Sequence, residues 1–181
     1  MGRKKRIWMP NSFYHVVCRG NRREALFRDD GDFKTFLHIL RQIDKKTPFE
    51  LASYCLMTNH FHLQIRSKEQ PISKVMSLIN KRYADYFNTK NRITGHVFEK
   101  RYYGKAVDSK EGMLEVSRYI HLNPVDAKMV INAQSYQWSS YRYYMHTSRH
   151  HLLNMAIILD YFSGDEWEKR RKYQEFVGRE R

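Results

Sequence analysis

Three short stretches of the chain have the hydrophobic pattern of β-strands. They are residues 12–19, 49–57 and 60–65. The first and third alternate between two faces with a period of two, whereas the second is apolar and aromatic and follows Pro48. Thr58 and Asn59 separate the second and third stretches and favour a tight turn. The pattern therefore predicts a β-hairpin formed by residues 49–65.

Alternation along the third stretch separates histidines from apolar residues. His60, His62 and Gln64 share one face of the predicted strand, and the apolar residues between and after them share the other. We expect the apolar face to pack and the polar face to present two imidazoles to solvent. Histidines at positions i and i+2 of a strand can bind one divalent ion, although a half-buried strand that carries histidine by coincidence has the same pattern.

Apolar residues at helical spacing predict four helices, at about residues 29–46, 71–88, 108–123 and 165–177. In the third helix, Asp108 and Glu111 have the spacing of a capping box, and Pro124 is expected to limit the helix. Residues 95–107 are predicted to be extended, and residues 138–141 form a turn or a helix start.

Composition favours a single domain over residues 1–181. Hydrophobic residues make up 41% of the 181 positions, and no linker rich in Pro, Gly or Ser divides the chain. Cys18 and Cys55 form no Cys-x-x-Cys arrangement and are expected to be buried thiols. We expect a cytoplasmic protein with no membrane partner, because no apolar run has the length of a membrane span and the basic start lacks a following signal core.

The chain carries a large surplus of positive charge. Lys and Arg number 33 against 19 Asp and Glu, which gives a formal net charge of +14. Basic and aromatic residues adjoin at 81–83, 100–103 and 141–144. Cations neutralise phosphates and aromatic faces stack on unpaired bases, so this pattern favours nucleic acid over a membrane surface. Charge alone leaves open a basic protein whose tyrosines are structural.

A polar stripe on the third predicted helix is the second chemical feature. Tyr119 lies beside the packed edge of this helix, with Glu115 one turn before it and Asn123 one turn after it. Together with two metal-binding histidines, a tyrosine suggests metal-assisted phosphoryl transfer, in which the phenol displaces a deoxyribose 3′ oxygen. The product is a 5′-phosphotyrosine, whose bond conserves the energy of the cleaved DNA linkage so that the strand can be rejoined. A packing tyrosine, however, has the same spacing.

Four motifs, taken in order, resemble those of IS200-like Y1 transposases, which are single-tyrosine HUH enzymes. The motifs are Tyr14-His15-Val16 with Arg19-Gly20, residues 55–63 (CLMTNHFHL), residues 118–125 (RYIHLNPV) and residues 138–141 (WSSY). Within this family they resemble the REP-associated tyrosine transposases in particular. Any one motif is weak, whereas four in this order are specific.

The resemblance implies a fold and a set of roles. The fold is a ferredoxin-like α+β domain with a central antiparallel sheet and helices packed on one face. His60 and His62 match the HUH metal pair. Tyr119 matches the catalytic tyrosine, and Asn123 matches a further metal ligand. The implied cofactor is Mg²⁺ or Mn²⁺, and the implied substrate is single-stranded DNA with hairpins. Relatives act as homodimers or as monomers, in bacteria and in association with the nucleoid.

Basic residues in several parts of the chain are predicted to contact DNA. They are Arg3, Lys4, Lys5, Arg6, Arg19, Lys81, Arg82, Lys100 and Arg101. The first four belong to a basic arm at residues 1–10, for which a solvated tail is the alternative. At the other end, residues from about 142 to 181 are predicted to form a helical extension of the domain.

One motif departs from the family pattern. After Pro124 and Val125 the family carries Arg-Ala-Gly, whereas this chain carries Asp126, Ala127 and Lys128. The change removes a phosphate-binding side chain and an easy left-handed helix cap, so DNA affinity or the loop is expected to differ.

Three other functions remain compatible with the sequence. The first is a non-catalytic, domesticated regulator that binds hairpin DNA. The second is a metal-dependent nuclease that uses water, which leaves free 5′-phosphate ends. The third is a zinc-stabilised fold in which Cys55 joins His60 and His62, although a fourth soft ligand is lacking.

Overall fold

The computed structural model describes residues 8–147 and 150–179, and within them four strands form one antiparallel sheet. The strands are β1 (Phe13–Arg19), β2 (Glu50–Met57), β3 (His60–Arg66) and β4 (Tyr103–Val107). Their order across the sheet is β2-β3-β1-β4. Met57 pairs with His60, so β2 and β3 form the predicted hairpin.

Two helices connect strands that are not neighbours in the sheet. Helix α1 (Asp30–Asp44) lies between β1 and β2 in the chain, and helix α2 (Ile72–Asn91) lies between β3 and β4. The element order β-α-β-β-α-β with this strand order is that of a ferredoxin-like domain. The predicted α+β fold with a central antiparallel sheet is therefore confirmed.

The α1 and α2 helices cover the apolar face of the sheet. The Phe36 ring on α1 lies 4.6 Å from the Phe61 ring on β3 and 5.2 Å from the Tyr83 ring on α2, measured between centroids. All three side chains are fully buried. Burial of large aromatic side chains is the main source of stability on this face.

A further helix, α3 (Lys110–Asp126), packs against part of the opposite face. The Ser117 hydroxyl lies 2.7 Å from that of Ser53 on β2, and the Gln64 amide donates to the Met113 carbonyl at 3.0 Å. His62 is only 3% exposed and Gln64 is fully buried. The expectation that this face presents both imidazoles to solvent is therefore wrong, because α3 covers it.

Both ends of α3 differ from the sequence prediction. Ser109, rather than Asp108, is the N-cap, and its side chain accepts from the Gly112 amide. The helix continues through Pro124 to Asp126, although Pro124 has no amide hydrogen to donate within the helix. Lys128 has φ +57° and its amide donates to the Val125 carbonyl, so it occupies the left-handed position after a helix that usually favours glycine.

Three further α-helices are found among the described residues after α3: α4 (Tyr141–Met145), α5 (Ala156–Leu159) and α6 (Glu166–Gly178). Tyr173 on α6 is fully buried, and its hydroxyl lies 2.6 Å from Ser117 Oγ and 2.7 Å from His121 Nδ1. The buried Arg118 side chain donates to the carbonyls of Val177 and Arg179. The C-terminal helix therefore holds α3 against the sheet.

The segment from 95 to 107 is only partly extended. Its strand, β4, is limited to five residues, and the preceding part is irregular apart from a bridge between Phe98 and Gly20. Cys18 and Cys55 are buried, as predicted. Within the described part of the chain, no helix is long and apolar enough to cross a membrane.

Candidate active site

Strands β1 and β3 bring three histidines together on the face covered by α3. His15 pairs with Gln64 across the ladder, and Val17 pairs with His62, so the histidine side chains of both strands project to the same side. His15 Nε2 lies 3.0 Å from His62 Nδ1, and the His60 and His62 ring centroids are 5.0 Å apart. Rigid strands thus fix the relative positions of three imidazoles.

Helix α3 contributes two further side chains to the site, those of Tyr119 and Asn123. The Tyr119 ring lies edge-on to the rings of His15 and His62, at centroid distances of 5.6 Å in each case. Its side chain is 43% exposed, whereas Asn123 is 9% exposed and its amide nitrogen donates to the Tyr119 carbonyl at 3.4 Å. Tyr119 therefore lies at the mouth of the site and Asn123 lies deeper in it.

Burial keeps the three imidazoles neutral at pH 7. It lowers the pKa of His15 to about 4 and lowers the pKa values of His60 and His62, most strongly for His62. Asn123 opposes this shift at His60 and His62 by hydrogen bonding.

The nitrogens of His60 and His62 fit a divalent metal ion. His62 Nε2 is buried and has no hydrogen-bond partner in the described part of the chain. His60 Nδ1 lies 2.7 Å from Asn59 Oδ1, which accepts its proton and leaves Nε2 with a lone pair. With the amide oxygen of Asn123, these nitrogens are the atoms that would hold a divalent ion, which would supply charge stabilisation to a bound phosphate.

No larger metal cluster accompanies this set. Among residues 8–147 and 150–179, no three His, Cys, Asp or Glu side chains are grouped as a metal site. Burial also raises the pKa of the Cys55 thiol, which opposes formation of a zinc-binding thiolate.

A cleft of about 590 Å³ opens between β1, β4 and α3 beside the histidines. It is lined by His15, Val17, Arg19, His60, His62, Tyr103, Lys105, Glu115, Val116 and Tyr119. Arg19 and Lys105 place two cations in its wall against one carboxylate, Glu115. Tyr103 is 53% exposed and lies 6.5 Å from the His15 ring. The cleft thus combines phosphate-binding charge, an exposed aromatic face and a tyrosine hydroxyl.

Residues 9–123 match the family described as "Transposase IS200 like", which is more than half of the chain and includes the histidines, Tyr119 and Asn123. The chain belongs to the IS200-like transposase family. A search of curated proteins finds no match.

One solved structure shares the fold of this chain over most of its length. A structure described as a REP-associated tyrosine transposase bound to a REP hairpin matches with a TM-score of 0.70 and 16% identity, covering 92% of this chain and 93% of that one. A candidate transposase from Deinococcus radiodurans R1 matches with a TM-score of 0.46 and 17% identity over 66% of this chain and 94% of its own. At this identity, the first match establishes the fold alone.

The predicted DNA contacts of the transposase fall in different places. Arg19 lines the cleft beside the histidines. Lys81, Lys100 and Arg101 line a separate groove of about 880 Å³ between α2 and residues 95–102. Arg82 instead donates to Gln42 on α1 at 3.0 Å. The other four predicted contacts, Arg3, Lys4, Lys5 and Arg6, lie outside the described residues.

Sequence reasoning missed His15, Tyr103 and Lys105 as components of the site. His15 falls within the Tyr14-His15-Val16 motif, but its proximity to His62 depends on β1 pairing with β3. The pairing of β1 with β4 places Lys105 opposite His15 and Tyr103 opposite Val17. Non-local strand pairing sets both relationships, and periodicity within one strand does not reveal it.

Proposed function

We propose that this IS200-like transposase cleaves and rejoins single-stranded DNA through a covalent 5′-phosphotyrosine on Tyr119. His60, His62 and Asn123 would hold a Mg²⁺ or Mn²⁺ ion. The observation that carries the proposal is the position of the Tyr119 ring, 5.6 Å from the buried His62 ring, whose Nε2 atom lacks a partner among the described residues. A purely DNA-binding protein has no need of this arrangement.

The reaction forms one bond and breaks one. Tyr119 Oη attacks the scissile phosphorus while the bond to the 3′ oxygen breaks, and the departing oxygen takes up a proton as a 3′-hydroxyl. The phenol proton leaves to water at the mouth of the cleft, where Tyr119 is 43% exposed. When bound, the ion supplies charge stabilisation at a non-bridging phosphate oxygen. Attack by a 3′-hydroxyl on the phosphotyrosine reverses these steps and rejoins DNA.

Residues around the cleft would select an unpaired strand. Arg19 and Lys105 line the cleft and would neutralise phosphates of a strand bound there. The exposed Tyr103 ring offers a stacking face to a base, and a base inside a duplex does not present its face. These features support a single-stranded substrate at the point of cleavage.

Recognition of a DNA hairpin is supported by fold and charge. The solved structure that matches 92% of this chain is described as bound to a REP hairpin. The groove with Lys81, Lys100 and Arg101 adds three cations against Glu99 on the far side of the sheet from the histidines. We assign this groove, together with the basic arm at residues 3–6, to the DNA that flanks the cleavage site.

One chain would suffice for cleavage. Tyr119 approaches the histidines of its own chain, and the Ser117–Tyr173 hydrogen bond ties the tyrosine helix to the C-terminal helix of the same chain. Exchange of α3 between two copies without α6 would break this contact. Catalysis within a monomer is therefore the arrangement that we propose, and a homodimer is not required.

The test is incubation of the protein with a 5′-extended hairpin oligonucleotide and Mn²⁺, followed by denaturing electrophoresis. We expect a protein–DNA adduct that requires the metal and is absent in Tyr119→Phe. Tyr103→Phe is the matched control, because it removes a second cleft hydroxyl while retaining the stacking ring. Hairpin binding without cleavage would favour the domesticated regulator, whereas cleavage with free 5′-phosphate ends would favour a water-using nuclease.

A further inference from the structure

The proton positions on the two metal-facing histidines follow from the atoms beside them. His62 Nδ1 lies 3.0 Å from His15 Nε2, and in a hydrogen bond between two imidazoles one nitrogen donates and the other accepts. If His15 donated, the proton of His62 would lie on Nε2, which is buried without an acceptor in the described part of the chain. A buried N–H group without an acceptor is unfavourable. If His62 Nδ1 donates to His15 Nε2 instead, His62 Nε2 carries no hydrogen and this cost does not arise.

The position of the proton on His60 is set in the same way, but by Asn59. Its Nδ1 atom lies 2.7 Å from Asn59 Oδ1, which can only accept. The Asn59 amide nitrogen donates to the Arg23 carbonyl at 3.2 Å, so the orientation of the amide is fixed from its other end. Both histidines are thus directed to carry the proton on Nδ1.

We propose that His15 is a positioning residue that accepts the His62 Nδ1 proton and so directs the His62 Nε2 lone pair toward the metal ion, as Asn59 does for His60. The proposal rests on the proposed metal site and adds a residue on β1 that the ligand set does not include. The rings of His15 and His62 are nearly parallel, with centroids 5.3 Å apart and an interplanar angle of 20°. Their contact therefore also restricts rotation of the His62 ring.

His15 is unsuited to be a metal ligand in this arrangement. Its Nε2 atom accepts from His62, so the same lone pair is not available to an ion. The His15 ring contacts the Nδ1 side of His62, whereas the unpartnered Nε2 atom is on the other side of that ring. His15 would act on the ion only through His62.

The first measurement uses the metal-free protein. Long-range ¹H–¹⁵N NMR correlations report which nitrogen of each histidine carries the proton. We expect Nδ1–H at His60 and His62 in the wild type, and a shift of His62 toward Nε2–H in His15→Phe, which keeps a ring but has no acceptor. A wild-type His62 with its proton on Nε2 overturns the proposal, and this result does not depend on whether any variant folds.

The second measurement is Mn²⁺ affinity by titration calorimetry. We expect His15→Phe to weaken binding by about 10- to 100-fold, the usual effect of removing a partner of a ligand. His15→Gln, whose amide oxygen can accept the same proton, should recover most of the affinity. Val16→Ala is the packing control, because Val16 adjoins His15 on β1, has its buried side chain on the apolar face and carries no polar side-chain atom. Equal affinity in His15→Phe and wild type overturns the proposal.

These results are separable from the proposed function. If Tyr119→Phe forms as much adduct as wild type while the NMR and Mn²⁺ results hold, the phosphotyrosine mechanism fails and the role of His15 stands. If the adduct forms as expected but His15→Phe binds Mn²⁺ normally, the role of His15 fails alone.

Discussion

Substitution of Tyr173 by Phe should loosen the helix that carries Tyr119, and the structure determines the size of the effect. Ser140 Oγ donates to the Tyr54 carbonyl at 3.1 Å, so it accepts from His121 Nε2 at 2.7 Å. His121 Nδ1 is then an acceptor for the Tyr173 hydroxyl, which in turn accepts from Ser117. The hydroxyl thus links two residues of α3 to α6 in one directed chain.

Removal of this hydroxyl breaks two hydrogen bonds and leaves one buried group without a partner. Ser117 retains Ser53 as an alternative partner, whereas His121 Nδ1 is left without one. Because Ser117 can bond to Ser53 instead, only the bond to His121 is lost without replacement. At about 1 kcal/mol for that bond and 1–3 kcal/mol for the buried unsatisfied nitrogen, we expect a loss of about 2–4 kcal/mol. For a protein of this length, that corresponds to a fall in Tm of roughly 5–15 °C.

Urea denaturation and thermal unfolding of Tyr173→Phe measure this loss. Tyr161→Phe is the matched control, since Tyr161 is half-buried and contacts Lys110 through its ring rather than through its hydroxyl. We expect the control to change stability by less than about 0.5 kcal/mol. Equal stability of the two variants would refute the argument that the Tyr173 hydroxyl ties α6 to α3.

Three further predictions concern charge, pH and metal. Lys100→Gln should weaken binding to single-stranded DNA and reduce the slope of log K against log salt by about 0.7, whereas Lys169→Gln, which removes a cation paired with Asp160, should leave the slope unchanged. Burial lowers the pKa of His121 from 6.5 to about 3, so the unfolded state binds a proton more tightly than the folded state does. The free energy of unfolding, measured by urea denaturation, should therefore fall by up to about 1.4 kcal/mol per pH unit as the pH is lowered from 6.5 toward 3. Chelation with EDTA should abolish the DNA adduct without changing Tm, and a fall in Tm would favour the zinc-stabilised fold.

The sequence predicted most of the fold because local patterns determine most of it. The β2–β3 hairpin and helices α1, α2 and α6 each have a periodic apolar face with suitable turn or capping residues. The prediction placed the N-cap of α3 one residue early, because Asp108 instead accepts from Ser12 on a distant segment. Local capping patterns do not reveal such competition.

The sequence could predict those parts of the site whose residues lie on the same strand or the same helix. His60 and His62 are two residues apart on one strand, and Tyr119 and Asn123 are one turn apart on one helix, so spacing alone groups each pair. The burial of His62 and the contribution of His15 required the placement of α3 and β1. Both depend on tertiary packing, which periodicity does not encode.

At Lys128 the backbone keeps a left-handed helix cap, although the sequence departure predicted a different loop or a different DNA affinity. The family's glycine is absent, yet the chain still adopts the left-handed conformation at that position, with φ +57°. A lysine there has a conformational cost of roughly 1–2 kcal/mol that glycine avoids. The helix end is therefore maintained by its hydrogen bonds and packing rather than by backbone preference.

The most direct test of the central claim is identification of the residue that becomes bonded to DNA. The adduct formed with a hairpin oligonucleotide and Mn²⁺ is digested with trypsin and nuclease and analysed by tandem mass spectrometry. We expect a nucleotide-bearing peptide that begins at Tyr119, after Arg118, with the phosphate on the Tyr119 hydroxyl. A phosphate on any other tyrosine, or cleavage of DNA with no modified peptide, would contradict the assignment of Tyr119 as the nucleophile.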